Sequence, residues 1–511
     1  MSKECILSID QGTTGTTVLV IDLSNRKMPR VLGRKTVEFR QYYPSNGWVE
    51  HDLDEVWRSV ISAAEGAISQ AEGVNKFTVS SIAGVGITNQ RETLCLFSRS
   101  SGQPLTKAIV WQDKRGAAIC NSLRSEELWI KKRTGLVLDP YFSGSKIKWV
   151  VENLPDVSGQ LANGEALLGT IDTFLLYKLT GCKSYCTESS NASRTLLFDT
   201  AQNKFDDDLM SLFGVPSVDC LPEVKDSAGE FGKTSGLTFL PDGVPIAGIL
   251  GDQQAALAGQ GCLTRGEAKC TYGTGAFMLL NTGCDFKHSN SGLLSTIAWS
   301  HQGNVTYALE GSSFIAGAAI QFLRDEMAII QSASESSQWA EGVQAAPDIY
   351  FVPALAGLGA PYWNPEAKGA FLGLSRGTTK AQMIRATLEG VAFAVADLYC
   401  AMKADFPSEN NVIRVDGGAA ANNILMQFQA DCLSVRIERP ANLETTALGA
   451  ALFAALGVGI FQDLDDLGAA GERERLFVPE AGVDSDKLRD ARINGWKRAI
   501  RAVQVFSGNN D

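Results

Sequence analysis

Cys5-Ile6-Leu7-Ser8-Ile9-Asp10 leads into Gln11-Gly12-Thr13-Thr14-Gly15-Thr16 and out again as Thr17-Val18-Leu19-Val20-Ile21-Asp22. Two β-rich runs around a Gly/Thr turn spell a hairpin. The turn is crowded with small residues and hydroxyls, so its backbone N–H groups and Thr side chains can converge on an anion, as in a phosphate-binding nest. It lacks the GxxxxGK[ST] pattern and is no Walker loop. Taken alone, a plain polar hairpin is the simpler reading of the stretch.

The device returns past the midpoint of the chain. Glu267-Ala268-Lys269-Cys270-Thr271-Tyr272-Gly273-Thr274-Gly275-Ala276-Phe277-Met278-Leu279-Leu280 again reads as strand, Gly/Thr turn and strand. One such hairpin says little, but its recurrence in each half implies two related lobes. If the lobes face each other, both turns can hold the phosphates of one nucleotide, with charge neutralised by N–H dipoles and Mg²⁺.

Outward from the first hairpin, helical and strand patterns alternate. Val56, Trp57, Val60, Ile61, Ala64 and Ile68 predict a helix over 54–70, and 80–89 is an apolar strand that closes in Gln90-Arg91-Glu92. This alternation predicts α/β architecture. Arg91 beside Glu92, at the mouth of an uncharged strand, presents a donor fork and an acceptor pair together, which suits a polyhydroxy substrate. A surface ion pair next to a turn is the competing reading. Trp111 ends the apolar run Ala108-Ile109-Val110-Trp111, read as a strand, and Tyr141 lies in the Gly/Pro-bounded loop 139–144; by itself each reads more readily as core than as ligand platform. Residues 126–132 and 177–179 read as helix surfaces.

Midway, the buried strand expected over 244–250 breaks at Gly251-Asp252-Gln253-Gln254. In open α/β sheets reactive groups gather beyond the carboxyl ends of strands, so Asp252 is a candidate base in a crevice, unless it only caps the Ala-rich helix that follows. Residues 311–324 read as a helix opened by small residues, with Gly317 and Gln321 on one face. The strand 412–415 ends in Asp416-Gly417-Gly418 before Asn422 and a helix over 424–433. Its paired glycines admit a ligand to the backbone and the helix N-terminus favours negative charge, although helix–sheet packing asks for the same glycines. The tail from Gly471, with alternating charge and Trp496, reads as a solvated closing helix. With no low-complexity linker, the lobes should join, and hinge, near 251–266.

Composition sets the outer limits. A chain of 511 residues exceeds one ordinary core, and its length implies about two to four domains. With 45% hydrophobic and 20% charged residues it has a globular composition. A formal net charge of −11 argues against broad attraction to nucleic acid, so an anionic ligand needs a local site. Residues 1–8 carry one basic residue and too short an apolar run for a signal peptide. The uncharged stretch 447–462 falls short of the about 20 apolar residues of a membrane span and reads as a buried helix. Eleven cysteines without a CxxC pair favour free thiols in a reducing, cytoplasmic compartment. Only His51, His288 and His301 are available, too few for a His-rich metal site or a His-dependent triad, so carboxylates must carry acid/base chemistry.

With these pieces placed, the sequence resembles the FGGY carbohydrate kinases, and among them the branch that acts on glycerol. The resemblance is carried by Ile6-Leu7-Ser8-Ile9-Asp10-Gln11-Gly12-Thr13-Thr14, Gly47-Trp48-Val49-Glu50-His51-Asp52, Gly86-Ile87-Thr88-Asn89-Gln90-Arg91-Glu92, Asp139-Pro140-Tyr141-Phe142-Ser143, Asn191-Ala192-Ser193-Arg194, Gly251-Asp252-Gln253-Gln254-Ala255, Thr271-Tyr272-Gly273-Thr274-Gly275, Gly357-Leu358-Gly359-Ala360-Pro361-Tyr362-Trp363 and Arg414-Val415-Asp416-Gly417-Gly418. It covers nearly the whole chain. Gln90-Arg91-Glu92 is the most telling segment, since sibling kinases for xylulose or gluconate share the hairpins but generally differ there.

The resemblance implies an α/β protein of two actin-like (ribonuclease-H-like) ATPase lobes with ATP and glycerol in the interlobe cleft. Residues 1–253 would form the N-terminal lobe with the glycerol and phosphate site, and 254–511 the C-terminal, nucleotide-binding lobe. The implied activity is ATP-dependent phosphorylation of glycerol to sn-glycerol 3-phosphate, in a homo-oligomer, dimer or tetramer. Position by position, Arg91, Glu92, Tyr141 and Asp252 would bind the glycerol hydroxyls with help from Gln253, while Trp111 and Phe277 pack on its carbon face. Asp252 would serve as general base, and Asp10 matches the Mg²⁺ position. Thr13, Thr14, Gly15, Thr274, Gly317, Gln321, Gly418 and Asn422 match nucleotide positions.

The chain departs from the family at Thr17, where many relatives carry Arg. The stretch 227–245 has neither the Arg of the fructose 1,6-bisphosphate loop of enteric relatives nor the His phosphorylated in some Gram-positive ones, so neither form of regulation carries over. Competing activities are a kinase for another small polyol or ketose, and an actin- or chaperone-like ATPase, which needs no polar substrate pocket such as Arg91, Glu92 and Trp111 offer. A catalytically silent sensor is disfavoured because every expected carboxylate is present.

Overall fold

The first Gly/Thr turn joins β1 (Cys5–Gln11) to β2 (Gly15–Asp22), with Gln11 opposite Thr16, and β3 (Arg30–Glu38) extends the meander antiparallel to β2. On the other side of β1 lies the parallel strand β4 (Ile82–Asn89). The sheet is completed by β5 (Ala228–Lys233) and β6 (Pro245–Gly251), giving the order β5-β6-β4-β1-β2-β3 with β6 parallel to β4. These positions come from a computed structural model that describes residues 4–73, 77–343, 348–441, 444–469 and 473–508.

The second turn joins β7 (Ala268–Tyr272) to β8 (Ala276–Gly283). With β9 (Leu294–His301), β10 (Asn304–Ser313), β11 (Val412–Asp416), β12 (Arg436–Pro440) and β13 (Arg473–Phe477) it forms a sheet of order β9-β10-β8-β7-β11-β12-β13. Here too the hairpin is antiparallel, β10 continues the meander, and β11 and β12 add in parallel beyond β7. The series β10-β8-β7-β11-β12 repeats β3-β2-β1-β4-β6, so the recurrence seen as two similar turns is a recurrence of topology.

Each strand of the first hairpin is apolar on both faces because both faces are covered. Leu7, Ile9, Val18 and Val20 pack on α1 (Leu53–Glu72), whose buried stripe includes Val56, Val60, Ala64 and Ile68. Asp52 starts that helix by accepting the N–H groups of Asp54 at 3.0 Å and Glu55 at 3.2 Å. On the opposite face Ile6, Leu19, Ile21 and Leu250 share one core with Leu279, Ala298 and Trp299 of the second sheet. Between the two sheets lie α2 (Asp252–Gly259) and, from much later in the chain, a second helix over 445–457.

The second half supplies α3 (Gly317–Asp325), α4 (Lys380–Asp405), α5 (Asn423–Leu433), α6 (Thr445–Gly457) and α7 (Val483–Phe506). The uncharged stretch 447–462 is thus helical over most of its length, and α6 rests on the first sheet although it belongs to the second half. Glycines permit this. A Cβ on Gly259 would sit 1.9 Å from the Thr445 carbonyl oxygen, one on Gly449 1.9 Å from that of Ala255, and one on Gly86 2.4 Å from that of Ala450. Helix meets helix and helix meets sheet backbone to backbone. Gly449→Ala is therefore expected to lower the thermal midpoint and the yield of folded protein, by at least the about 1–3 kcal/mol typical of overpacking. Scanning fluorimetry checks this, and an unchanged midpoint would contradict the contact.

Several local expectations fail for identifiable reasons. Residues 311–313 are not helical but end β10, where Gly311 pairs with Met278, and the helix begins only at Gly317. Small residues suit a close sheet contact as well as a helix start. The run ending in Trp111 pairs as a strand only over Ala108–Ile109, and Trp111 lies in the turn beyond. Tyr177 and Leu179 are not on a surface; they are buried in the helix Ile171–Leu179. The tail from Gly471 opens outside the described residues. Its helix α7 has a solvated face, but Trp496 is buried, stacked on Phe393 at 5.3 Å with an interplanar angle of 15°. All eleven cysteines are free. Among the described residues no helix is long and apolar enough to cross a membrane.

Candidate active site

Arg91 and Glu92 follow β4, and Glu92 holds φ at 61°, a left-handed conformation that a non-glycine residue adopts at a cost. They are not a surface pair. Arg91 is 2% and Glu92 1% exposed, and each finds a different partner. Arg91 grips Glu310 of β10 with both terminal nitrogens, at 2.5 and 3.0 Å, while its Nε lies 3.1 Å from Asp252 Oδ1. Arg194 donates to Glu92 at 2.6 Å and to Glu310 at 2.9 Å. Burial works against ionisation of Glu310, but Arg194 and Arg91 outweigh it and hold the carboxyl down at about 2. For Glu92 burial prevails, raising its pKa despite Arg194 and Arg91.

Local structure aims these groups. Glu188 caps the short helix Ser189–Ala192 by accepting the N–H groups of Ser190 at 2.7 Å and Asn191 at 2.6 Å, which sets Arg194 just past its end. Ser190 Oγ accepts the Gly251 N–H at 2.9 Å, tying that helix to the end of β6 beside Asp252. The Tyr141 loop closes around Lys146, whose buried ammonium donates to the carbonyls of Pro140 at 2.6 Å and Tyr141 at 2.7 Å. Burial pulls that ammonium down to about 8. Burial also raises the Tyr141 phenol, which keeps it a hydrogen-bond donor. Trp111 donates to Thr13 Oγ1 at 2.9 Å and meets Tyr141 edge to face at 5.4 Å.

Asp252 is the first residue of α2, with Gly251 at the cap, so it does not cap the helix in the sense expected of a purely structural Asp. Its Oδ1 accepts the N–H of Gln253 at 2.7 Å. With 29% of its side chain exposed, against 1% for Glu92 and Glu310, it is the carboxylate of this group open to a ligand. Burial and the nearby charges of Asp252 and Glu444 push the Asp10 carboxyl up to about 8.

A cavity of about 340 Å³ joins these pieces. Thr13 and Thr14 of the first turn and Thr274 of the second line it, together with Arg91, Glu92, Trp111, Tyr141, Asp252 and Phe277. Gln41, Tyr43, Gln112 and Phe314 also line it and were not singled out from sequence. Gln41 carried a faint signal through its neighbour in the fold. It donates to the Thr13 carbonyl at 2.8 Å and accepts from His51, a residue of the Gly47–Asp52 segment.

Other candidate residues stand apart from the cavity wall. Gln253 turns its carbonyl to the buried Lys269 ammonium at 2.6 Å. Gly15 lies close to β3, where a Cβ would be 3.0 Å from the Val37 carbonyl oxygen. Gly317 donates its N–H to Gly273 at 2.9 Å, so α3 starts against the second turn, and Gln321 lies on the exposed face of that helix. Gly418 is exposed, with nothing within 4 Å of the place a Cβ would take. Asn422 caps α5 through Ile424 at 3.0 Å and Leu425 at 3.1 Å. Thr17 spends its hydroxyl on Thr36 at 2.9 Å. A second cavity, of about 220 Å³, lies behind α2 and α6 near Met28, Arg414 and Glu438, and none of the candidate residues lines it.

His51 ties the first turn to its surroundings, bonding to Gln41 at 2.5 Å and accepting from Gln90 Nε2 at 3.3 Å; Gln90 also donates to the Gly12 carbonyl at 3.1 Å. Burial lowers its imidazole from 6.5 to about 4. The unfolded chain then binds the proton first, so stability is present above pH 6.5 and is lost as pH falls toward 4. The slope is about 1.4 kcal/mol per pH unit. Thermal midpoints of the unaltered protein and His51→Asn over that interval should converge at the acid end, whereas parallel curves would contradict the assignment.

The same fold recurs in known proteins. Residues 5–259 match the N-terminal domain, and 268–458 the C-terminal domain, of the FGGY family of carbohydrate kinases. The chain is 49% identical over 499 residues to a glycerol kinase of Myxococcus xanthus, covering 97% of this chain and 98% of the relative. It is 47% identical over 506 residues to one of Thermus thermophilus, covering 99% and 100%. Among solved structures, the Plasmodium falciparum glycerol kinase with ADP superposes with a TM-score of 0.88 at 34% identity and covers 98% of each chain. A ligand-bound xylulose kinase of Lactobacillus acidophilus, at 18% identity and a TM-score of 0.86 over 99% of this chain and 100% of that one, shares the fold. From the two Gly/Thr turns to the shared core between the sheets, the chain belongs to the FGGY family of carbohydrate kinases.

Proposed function

We propose that the protein transfers the γ-phosphoryl group of ATP to a primary hydroxyl of glycerol, giving sn-glycerol 3-phosphate and ADP. The observation that carries this reading is the cavity where Arg91, Glu92, Tyr141 and Asp252 present fixed donors and acceptors between two Gly/Thr turns, in a chain 49% identical to a glycerol kinase along nearly its whole length. Glycerol offers little apolar area, so selection rests on polar groups left unpaired by the wrong ligand, an effect that can reach about 10⁴. Trp111 and Phe277 supply the apolar wall for its carbon chain.

Asp252 accepts the proton of the attacking hydroxyl as its oxygen bonds to the γ-phosphorus and the bond to the β-phosphate oxygen breaks, releasing ADP. Thr13, Thr14 and Thr274 face the phosphates with hydroxyl and backbone donors, and Gly418 leaves open backbone for the nucleotide beside the start of α5. Asp10 would hold Mg²⁺. Its carboxyl, lifted to about 8 by burial and by Asp252, is one that a neighbouring cation would return to the ionised state. Among the described residues no cluster of three or more His, Cys, Asp or Glu forms a metal cage, in keeping with an ion that takes one or two carboxylates plus phosphate oxygens. When bound, Mg²⁺ neutralises charge on the transferring phosphoryl group.

We divide the chain into lobes at 253/254, with α6 reaching back onto the first, and take it for a cytoplasmic homo-oligomer, dimer or tetramer, as the family resemblance implies. The deciding experiment is a coupled ADP-release assay over glycerol, dihydroxyacetone, erythritol, xylulose and gluconate. Glycerol should give the highest kcat/KM. Preference for another polyol would replace the substrate, and ADP release indifferent to every polyol would replace the kinase with an ATPase.

A further inference from the structure

We propose that Glu310, a residue of the second sheet outside the cavity wall, is the positioning residue that sets polyol selectivity, by engaging terminal nitrogens of Arg91 and Arg194 so that each guanidinium meets the carboxylate that receives the substrate through Nε alone. The inference rests on the polyol-kinase reading above.

Glu310 lies on β10 and is fully buried. It takes both terminal nitrogens of Arg91, at 2.5 and 3.0 Å, and Nη2 of Arg194, at 2.9 Å. Two guanidinium groups with one carboxylate between them are thus fixed in direction. Arg91 is left with Nε toward Asp252 at 3.1 Å, and Arg194 with Nε toward Glu92 at 2.6 Å. Asp252, met by Arg91 through Nε and with 29% of its side chain exposed, is the member of the group that faces the cavity.

Removing the Glu310 charge changes that balance. Arg91 would then have Asp252 as its remaining charged acceptor within reach, and Arg194 would have Glu92. Both carboxylates, each now met through one Nε, would be drawn into two-pronged ion pairs with the freed terminal nitrogens, and the lone pairs that polyol hydroxyls need would be taken. Neither turn that faces the phosphates touches Glu310, so nucleotide affinity has no reason to change. A residue that merely supported the fold would act on both substrates alike.

The test compares Glu310→Gln and Glu310→Asp with the unaltered protein, measuring KM for glycerol and for ATP and the kcat/KM ratio of glycerol to 1,3-propanediol, which lacks the central hydroxyl. Glu310→Gln should raise KM for glycerol roughly 10- to 100-fold, the worth of one or two hydrogen bonds to a charged group, and leave KM for ATP unchanged. Preference for glycerol over 1,3-propanediol should shrink by a similar factor, and Glu310→Asp should recover part of both losses. Equal changes in both KM values, or none, overturn the inference while the polyol-kinase reading stands. An unaltered protein inert toward glycerol overturns that reading and this one with it. Should Glu310→Gln fail to fold, Glu310→Asp carries the test. Its shorter carboxylate cannot span both guanidinium groups, and the same split in KM supports the role while unchanged values refute it.

Discussion

Asp252→Asn is expected to cut kcat for glycerol phosphorylation by about 10²–10⁴-fold, the usual worth of a positioned general base. Asparagine keeps the size of the side chain and an oxygen for the Gln253 N–H, held at 2.7 Å, but cannot take the hydroxyl proton at neutral pH. ADP affinity, measured by calorimetry, should stay close to that of the unaltered protein, because the two Gly/Thr turns keep their own hydrogen bonds. Turnover near the original level would remove Asp252 from the base role. The same substitution weakens the contact to Arg91 Nε at 3.1 Å, so a rise in KM for glycerol is expected alongside the loss of kcat.

The second large effect concerns folding. Arg194→Met should destabilise the protein by about 3–5 kcal/mol, because it strands the buried Glu92 and leaves the buried Glu310 to Arg91 alone. Glu92 and Glu310 are each 1% exposed at the side chain, and Arg194 is their shared partner at 2.6 and 2.9 Å. The exposed pair Arg124–Glu127, at 3.1 Å, makes a comparison of opposite expectation, since Arg124→Met should cost no more than about 1 kcal/mol. Thermal midpoints and soluble yields of the two variants, side by side, check the difference. Adding Glu92→Gln to Arg194→Met should recover part of the loss, and equal midpoints for Arg194→Met and Arg124→Met would refute the buried pairing.

What could be read from the sequence follows from how local each signal is. The hairpins were legible because turn chemistry and β-rich flanks lie within a dozen residues of each other, and their repetition announced a second sheet of the same topology. Asp252 was legible as a strand end, and its neighbours Arg91, Glu92, Trp111 and Tyr141 gather around one cavity. Glu310 was not. It sits in a strand with no motif around it, and its meaning comes from Arg91, 219 residues earlier, and Arg194, 116 residues earlier, a pairing that only tertiary approach creates. Lys146 escaped notice because a lysine on a helix ordinarily points to water, and here it is buried against carbonyls. The segment 311–324 misled because Gly, Ser and Ala suit helix starts and tight sheet contacts alike. Asn422, which the resemblance matches to a nucleotide position, caps α5 with its side-chain oxygen, a local role that its place before the helix 424–433 already suits.

The crossing of α2 and α6 has a consequence for how this protein can vary over time. At Gly259, Gly449, Gly86, Gly248 and Gly457 a single methyl group would fall within 2.4 Å of a backbone atom on a facing element. No change at one of these sites can be offset by trimming a neighbouring side chain, because the neighbour is main chain. The five positions are therefore closed to stepwise drift, while Gly159 and Gly342, with nothing within 4 Å, are free to wander. The seam on which the two halves of the molecule meet is written in the one residue type that leaves no smaller alternative.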